Sequence, residues 1–366
     1  MLISHPPYPI KRRSSLTTIR LPLTPSLSSS GGEGKGEGPI SKDLLHPSLP
    51  GEKESGEKFI HQGGDMNEFK VNDIKKVVVI GAGLMGAQIA ELMARLGQYR
   101  VTLVDVKDEL VSKGLAGIEQ RIEKFFVVKG KMTPEQKKEL MGRMDGTTDI
   151  TQAAAGGDFA VEAATENISA KKDLFRKLDQ SAPPHAILAS NTSYLSITEI
   201  ASATHRPEKV VGMHFFNPVA MMKLVEVVKG AKTSENTSEV TSSLARVLQK
   251  EPVVCRDASY GFLANRAYLA LRMEAVQMVW ERVASPEEID KALKLGYNLP
   301  MGPLELADLG GSWGIYATSE EDRIRELGSE KGRLHPLVRL MVRAGYTGGA
   351  GKKGIYDFFK EVLSKW

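Results

Sequence analysis

His214 stands at the end of the run "VVGMHFFNPV", and Glu226 lies twelve residues later inside "MKLVEVVKG". Read as a strand, the second run places Lys223, Val225, Val227 and Lys229 on one face and Leu224, Glu226 and Val228 on the other. Glu226 therefore sits on a largely apolar face, where a carboxylate is costly unless a cation or donor meets it. A His–Glu pair would hold the imidazole in one tautomer and raise its proton affinity, which suits a general base. Two blander readings compete: a core histidine satisfied by backbone, and a salt bridge from Glu226 to a lysine.

A second set of residues has phosphate-binding spacing. In "KKVVVIGAGLMGAQIAELMARLGQYRVTLVDV" the apolar run Val77 to Ile80 reads as a strand buried on both faces. Gly81, Gly83 and Gly86 follow as G-x-G-x-x-G, with Ile89, Leu92, Met93 and Leu96 at helical spacing behind them. Gly81 permits a tight turn, Gly83 leaves room for a pyrophosphate, and Gly86 lets helix and strand approach closely. The helix N-terminus offers free N–H groups and a positive dipole end. Leu84 and Met85, inside the same turn, are candidate cofactor contacts. A second strand ends at Asp105, 19 residues past Gly86. A carboxylate there accepts from ribose hydroxyls and repels a 2′-phosphate, which predicts NAD rather than NADP.

These residues need a scaffold that delivers them to one edge. Apolar runs at Phe159–Ala164, Ala186–Ala189, "VVGMHFF", "MKLVEVVKG" and "PVVC" alternate with helical patterns such as "SAKKDLFRKLDQ" and "SEVTSSLARVLQK". Strands alternating with helices predict a Rossmann-type, doubly wound, mostly parallel α/β sheet, whose ligands bind beyond the carboxyl ends of its strands. Glu166, Ser193 and His214 lie at or just after such ends. From about residue 258 the pattern becomes all helical, with Ser285 as an N-cap and Pro303 in a first helical turn. The expected organisation is a disordered extension over 1–65, an NAD-binding domain over 66–257, and an all-α domain over 258–366.

Composition narrows the function classes. The chain has 366 residues, a formal charge of +4, seven histidines and one cysteine. Cys255 alone allows no intrachain disulfide and suits a reducing compartment. The small, dispersed charge gives no case for a nucleic-acid partner. No run approaches the length of a membrane span, and no Cys/His cluster has metal-ligand spacing. Residues 1–65 are rich in Pro, Ser, Gly and Glu, with little to bury. Their preferred reading is text upstream of a true start at Met66, giving a cytoplasmic protein. A mitochondrial transit peptide is the alternative, since no acid precedes Glu33 while Lys11, Arg12, Arg13 and Arg20 sit among serines.

With "GAGLMG", "VEAATEN", "SNTSYLSITEIA", "HFFNPV", "KLVEVV", "GFLANR" and "LPMGPLELAD" in this order, the chain resembles the short-chain L-3-hydroxyacyl-CoA dehydrogenases, which include the 3-hydroxybutyryl-CoA dehydrogenases. The resemblance covers roughly residues 72–366. It implies His214 as the base for the 3-hydroxyl proton and Glu226 as its orienting partner. Ser193 would bond the reacting oxygen, and Asn265 would hold substrate oxygens. Glu166, Lys171, Asn191 and Asn217 would line the cofactor site. It also implies an acyl-CoA substrate and a homodimer through the helical domain.

Basic residues on "RIEKFFVVKGK", Lys124 foremost with Arg121, Lys129 and Lys131, are candidates for the CoA phosphates. Without them, a same-fold dehydrogenase of a free hydroxy acid would fit better; a redox-inactive NAD-binding protein is the third reading. Two departures from the family pattern bear on substrate handling. Tyr260 precedes Gly261 where the family has proline, in a segment one residue longer. Ala350 stands where a lysine would align, with Lys352 and Lys353 beside it.

Overall fold

The computed structural model describes residues 68–258 and 260–365; the extension expected to be disordered lies outside them. Eight strands form one sheet: β1 (Lys76–Ile80), β2 (Arg100–Val104), β3 (Met144–Thr147), β4 (Phe159–Glu162), β5 (Ile187–Ser190), β6 (Val210–Phe215), β7 (Leu224–Lys229) and β8 (Glu251–Arg256). Their spatial order is β3-β2-β1-β4-β5-β6-β7-β8. All neighbours are parallel except β6 and β7, which run antiparallel. This is the doubly wound, mostly parallel sheet that the alternation predicts.

The two-sided burial explains the strand sequences. In β1, Val77 and Val79 enter one core with Ile89 and Met93 of helix α1 (Leu84–Arg95), while Val78 and Ile80 enter another with Phe175 and Leu178. Alternation sends successive residues to opposite faces, so a strand covered on both must be apolar throughout. Helices α2 (Asp108–Ile122), α3 (Pro134–Met141), α4 (Ile150–Ala154), α5 (Ile168–Ser181), α6 (Ile197–Ala201) and α7 (Glu235–Val247) complete the layers. A π-helical segment, Glu123–Val127, extends α2. The sequence pattern gave no sign of β3, whose "MDGT" is half-exposed at the sheet edge.

After β8 the chain is helical: α8 (Ala264–Trp280), α9 (Pro286–Tyr297), α10 (Pro303–Leu309), α11 (Ser312–Thr318), α12 (Glu320–Gly332), α13 (Pro336–Arg343) and α14 (Ile355–Glu361). These enclose a third core around Val276, Trp313, Leu337 and Phe358. Ser285 caps α9 by accepting from Glu288 N, and Pro303 opens α10.

Candidate active site

The strand ends that matter stand side by side in the order β1, β4, β5, β6. At the first, Gly81 has φ +104°, and a Cβ there would lie 2.5 Å from the Ala163 carbonyl oxygen. A Cβ on Gly86 would lie 1.8 Å from the Gly81 oxygen, so only glycine lets α1 start this close to β1. Gly83 has open space around its missing side chain. Leu84 is exposed at the helix start and Met85 packs on the core edge. Asp105 is aimed by two backbone donors, Ala82 N and Val106 N, each at 2.7 Å on a different oxygen. Each oxygen keeps a lone pair for a hydroxyl. A glycine turn, a helix N-terminus with room above it and a fixed carboxylate fit a dinucleotide.

Three strands away, roughly 14 Å across the sheet, β6 and β7 pair so that His214 lies directly opposite Glu226. The Nδ1 of His214 is 2.8 Å from Glu226 Oε2, and both residues are buried. The other Glu226 oxygen accepts from Ala264 N at 2.8 Å and Leu263 N at 3.2 Å. These donors open α8, which has no side-chain cap of its own. Burial raises the Glu226 pKa, but the bonds from His214 and from the Ala264 and Leu263 amides outweigh it and hold the carboxyl below its ordinary value. An ionised carboxylate only accepts, so Nδ1 carries a hydrogen, and in the neutral imidazole Nε2 presents its lone pair. Ser193 Oγ lies 3.0 Å from Nε2. Helix α6 is capped by Ser196, not Ser193, which leaves the Ser193 hydroxyl to the histidine. Asn265 is half-buried in the first turn of α8, beside the amides that Glu226 holds.

A further network, buried at Glu162, Lys171 and Ser190 and open to solvent at Glu166, lies between turn and histidine. Lys171 is 2.6 Å from Glu162 and 3.3 Å from Glu166. Glu162 also accepts from Ser190 Oγ at 2.6 Å and Ala164 N at 2.7 Å. Glu166 accepts from Thr192 Oγ1 at 2.5 Å and Ser193 N at 3.1 Å. Asn191 Oδ1 accepts from Phe215 N at 2.8 Å, tying the ends of β5 and β6 together. Asn217 is exposed just past β6. Glu162, Ser190 and Thr192 were not singled out from the sequence, although all three sit inside or beside "VEAATEN" and "SNTS".

Residues 76–258 match the family described as 3-hydroxyacyl-CoA dehydrogenase, NAD binding domain, and residues 261–358 match its C-terminal domain. The chain is 43% identical over 286 residues to a probable 3-hydroxybutyryl-CoA dehydrogenase of Bacillus subtilis, covering 78% of this chain and 98% of that one. It is also 43% identical over 285 residues to a 3-hydroxybutyryl-CoA dehydrogenase of Clostridioides difficile, covering 78% and 100%. This chain belongs to the 3-hydroxyacyl-CoA dehydrogenase family. The crystal structure of (S)-3-hydroxybutyryl-CoA dehydrogenase from Ralstonia eutropha has a TM-score of 0.72 at 37% identity, covering 77% of this chain and 98% of that one. The protein is accordingly an NAD-dependent oxidoreductase acting on CH–OH groups.

Other residues of this 3-hydroxyacyl-CoA dehydrogenase are placed less centrally. Lys124 is exposed on the π-helical segment, with its ammonium 5.5 Å from the Phe125 ring centroid. No contact joins it to His214, Ser193 or Asn265 among the described residues. Arg121 is engaged with Glu91 at 2.9 Å, and Lys129 lies over the same Phe125 ring. Lys353 bonds both oxygens of Glu361, at 2.6 and 2.9 Å. Lys352 remains exposed in the loop with Ala350. Tyr260 is buried and stacks on Tyr194, with centroids 4.6 Å apart at 25°.

Proposed function

We propose that the protein oxidises short-chain (S)-3-hydroxyacyl-CoA thioesters, such as 3-hydroxybutyryl-CoA, reversibly to 3-oxoacyl-CoA, with His214 as general base. The observation that carries this reading is an imidazole with Nδ1 held by Glu226 and Nε2 free to accept, beside the Ser193 hydroxyl and on the same sheet edge as the dinucleotide turn. A 3-hydroxyl bonded to Ser193 lies within reach of Nε2, which takes its proton. Glu226 stabilises the imidazolium that forms, and its bonds to the first amides of α8 set where Asn265 stands to hold substrate oxygens. When bound, NAD accepts the hydride that leaves C3. Gly81, Gly83, Leu84, Met85, Gly86 and Asp105 hold its adenosine and phosphate end. Glu166, Lys171, Asn191 and Asn217 position the nicotinamide end. In the reverse direction His214 returns the proton to the oxygen.

The reading extends to a homodimer formed through the helical region, which leaves Val283, Leu295, Tyr297, Leu309 and Ile315 exposed. Among the described residues no helix is long and apolar enough to cross a membrane. A cytoplasmic site of action suits the single cysteine. The test is NADH formation across 3-hydroxyacyl-CoA chain lengths, with free 3-hydroxy acids alongside and the subunit count taken by sedimentation. Faster turnover of the free acids would replace the thioester reading with the free-acid one.

A further inference from the structure

Two arginines of the helical region are buried without the partner that buried charge ordinarily has. Arg323 is fully buried and Arg272 nearly so. Arg272 Nη1 donates to Ser312 Oγ at 3.0 Å, and its Nε has no partner. Arg323 Nη1 donates to the Tyr316 carbonyl and to Ser319 Oγ, while its Nε and Nη2 have no partner. Neither guanidinium forms an ion pair with a carboxylate among the described residues. Acids of the same region are already engaged. Asp290 accepts from Leu304 N, Glu305 N and the Tyr356 hydroxyl. Asp308 accepts from Trp313 Nε1 and the amides of Ile355 and Tyr356.

What surrounds the two cations is aromatic. The Arg272 guanidinium is 4.9 Å from the Tyr316 centroid, 5.3 Å from Tyr268 and 5.4 Å from Trp313. Arg323 lies 3.6 Å over the same Tyr316 ring. Ring faces attract a cation but leave its N–H donors unmet. An arginine stays charged even when buried, so the site holds positive charge with unused planar donors; Glu320, the carboxylate in the field of Arg323, is itself engaged by Leu334 N and Arg339.

The cluster reaches the active site from two sides. Tyr194 follows Ser193 in the chain and stacks on Tyr260. Tyr260 and Tyr194 both lie in the field of Arg323, and Tyr194 lies also in that of Arg272. From the other side, Asn265, Tyr268 and Arg272 fall at helical spacing on one face of α8. Arg272 is therefore about 10 Å along the helix from Asn265.

We propose that the acyl group of the substrate ends in a carboxylate, which Arg272 receives with Arg323 behind it: a 3-hydroxyacyl thioester of the dicarboxylic class. This rests on the dehydrogenase reading and specifies its substrate. The planar forks match a carboxylate bidentately, and the aromatic wall excludes the water that would otherwise screen the charge. The carboxylate anchors the tail and undergoes no reaction.

The test compares two 3-hydroxyacyl-CoA thioesters of equal chain length, one ending in a carboxylate and one in a methyl group, by NADH formation with the full chain. The wild type is expected to favour the carboxylate by about tenfold or more in kcat/KM. Arg272→Met should reduce that preference by roughly 10- to 100-fold, with the loss falling mainly on KM. Arg272→Lys, which keeps the charge but not the fork, should lose less. Melting temperatures accompany each variant; if Arg272→Met does not fold, the wild-type preference and Arg272→Lys decide. A wild-type preference for the methyl-terminated thioester, or an equal fall on both substrates, overturns the proposal, leaves the dehydrogenase reading standing and makes the arginines structural. No NADH from either thioester overturns the dehydrogenase reading and this one with it.

Discussion

The sheet region and the helical region treat buried charge in opposite ways. Under the strand ends, Lys171 is enclosed between Glu162 and Glu166, and His214 between Glu226 and Ser193. In the helical region Arg272 and Arg323 are enclosed by tyrosine and tryptophan rings, with guanidinium nitrogens unmet. A buried ion pair is coupled: removing one member leaves the other as an uncompensated charge, which costs far more than the pair itself is worth. A buried cation without a counter-charge has no such dependent. The first arrangement suits groups whose position must not vary, and the second suits a site awaiting a charge from outside.

The largest expected effect is at the histidine. His214→Asn should lower kcat per folded molecule roughly 10²–10⁴-fold, the usual worth of a general base. Intact kcat per folded molecule would return His214 to the role of a core residue. Glu226→Gln should also lower kcat, and the double variant should lose much less than the product of the two losses, because the residues act as a unit. Steady-state kinetics of the three variants on one substrate measure this.

Next comes the contrast in stability. Lys171→Met leaves Glu162 buried and unpaired and should cost about 3–5 kcal/mol. Arg272→Met strands no carboxylate and fills its place with apolar volume, so it should cost far less or stabilise. Denaturant unfolding of both variants decides between them, and equal losses would break the comparison.

A smaller effect separates Glu226 by pH. Its folded-state pKa lies below the ordinary value, held there by His214 and the α8 amides against burial. Its contribution to stability is therefore present above the unfolded-state pKa and is lost as pH falls through the folded one. Melting temperature measured from about pH 5 downward should fall less steeply in Glu226→Gln than in the wild type. The smallest expected change is in cofactor choice: Asp105→Ala should narrow the preference for NAD over NADP by removing the charge that repels a 2′-phosphate. A wild type that uses NADP better would contradict the assignment of Asp105.

Much of the site was legible in the chain because its determinants are local. Three glycines at fixed spacing between an apolar run and an amphipathic helix specify a turn, and Asp105 ends the next strand in the same unit. Alternation along β7 put Glu226 on an apolar face without any tertiary information. The edge strand β3 was not legible, since an edge needs no continuous apolar run. Nor were Glu162, Ser190 and Thr192, whose importance lies in partners up to 28 residues away.

By itself the sequence determined the alternation of the buried strands with helices, the dinucleotide turn, and which residues could carry charge or protons. Only the tertiary structure decided that Glu226 meets His214 rather than a lysine, through the antiparallel register of β6 and β7. It alone made the same carboxylate the cap of α8, 38 residues further on, and so tied the base to the helix that bears Asn265. It also set Arg272 and Arg323 around one tyrosine ring, with no ion pair to either among the described residues. The physical reason is common to all three. Hydrogen bonding and Coulomb attraction act over a few ångströms in space and are indifferent to separation along the chain, so partners are chosen only when packing brings the elements together.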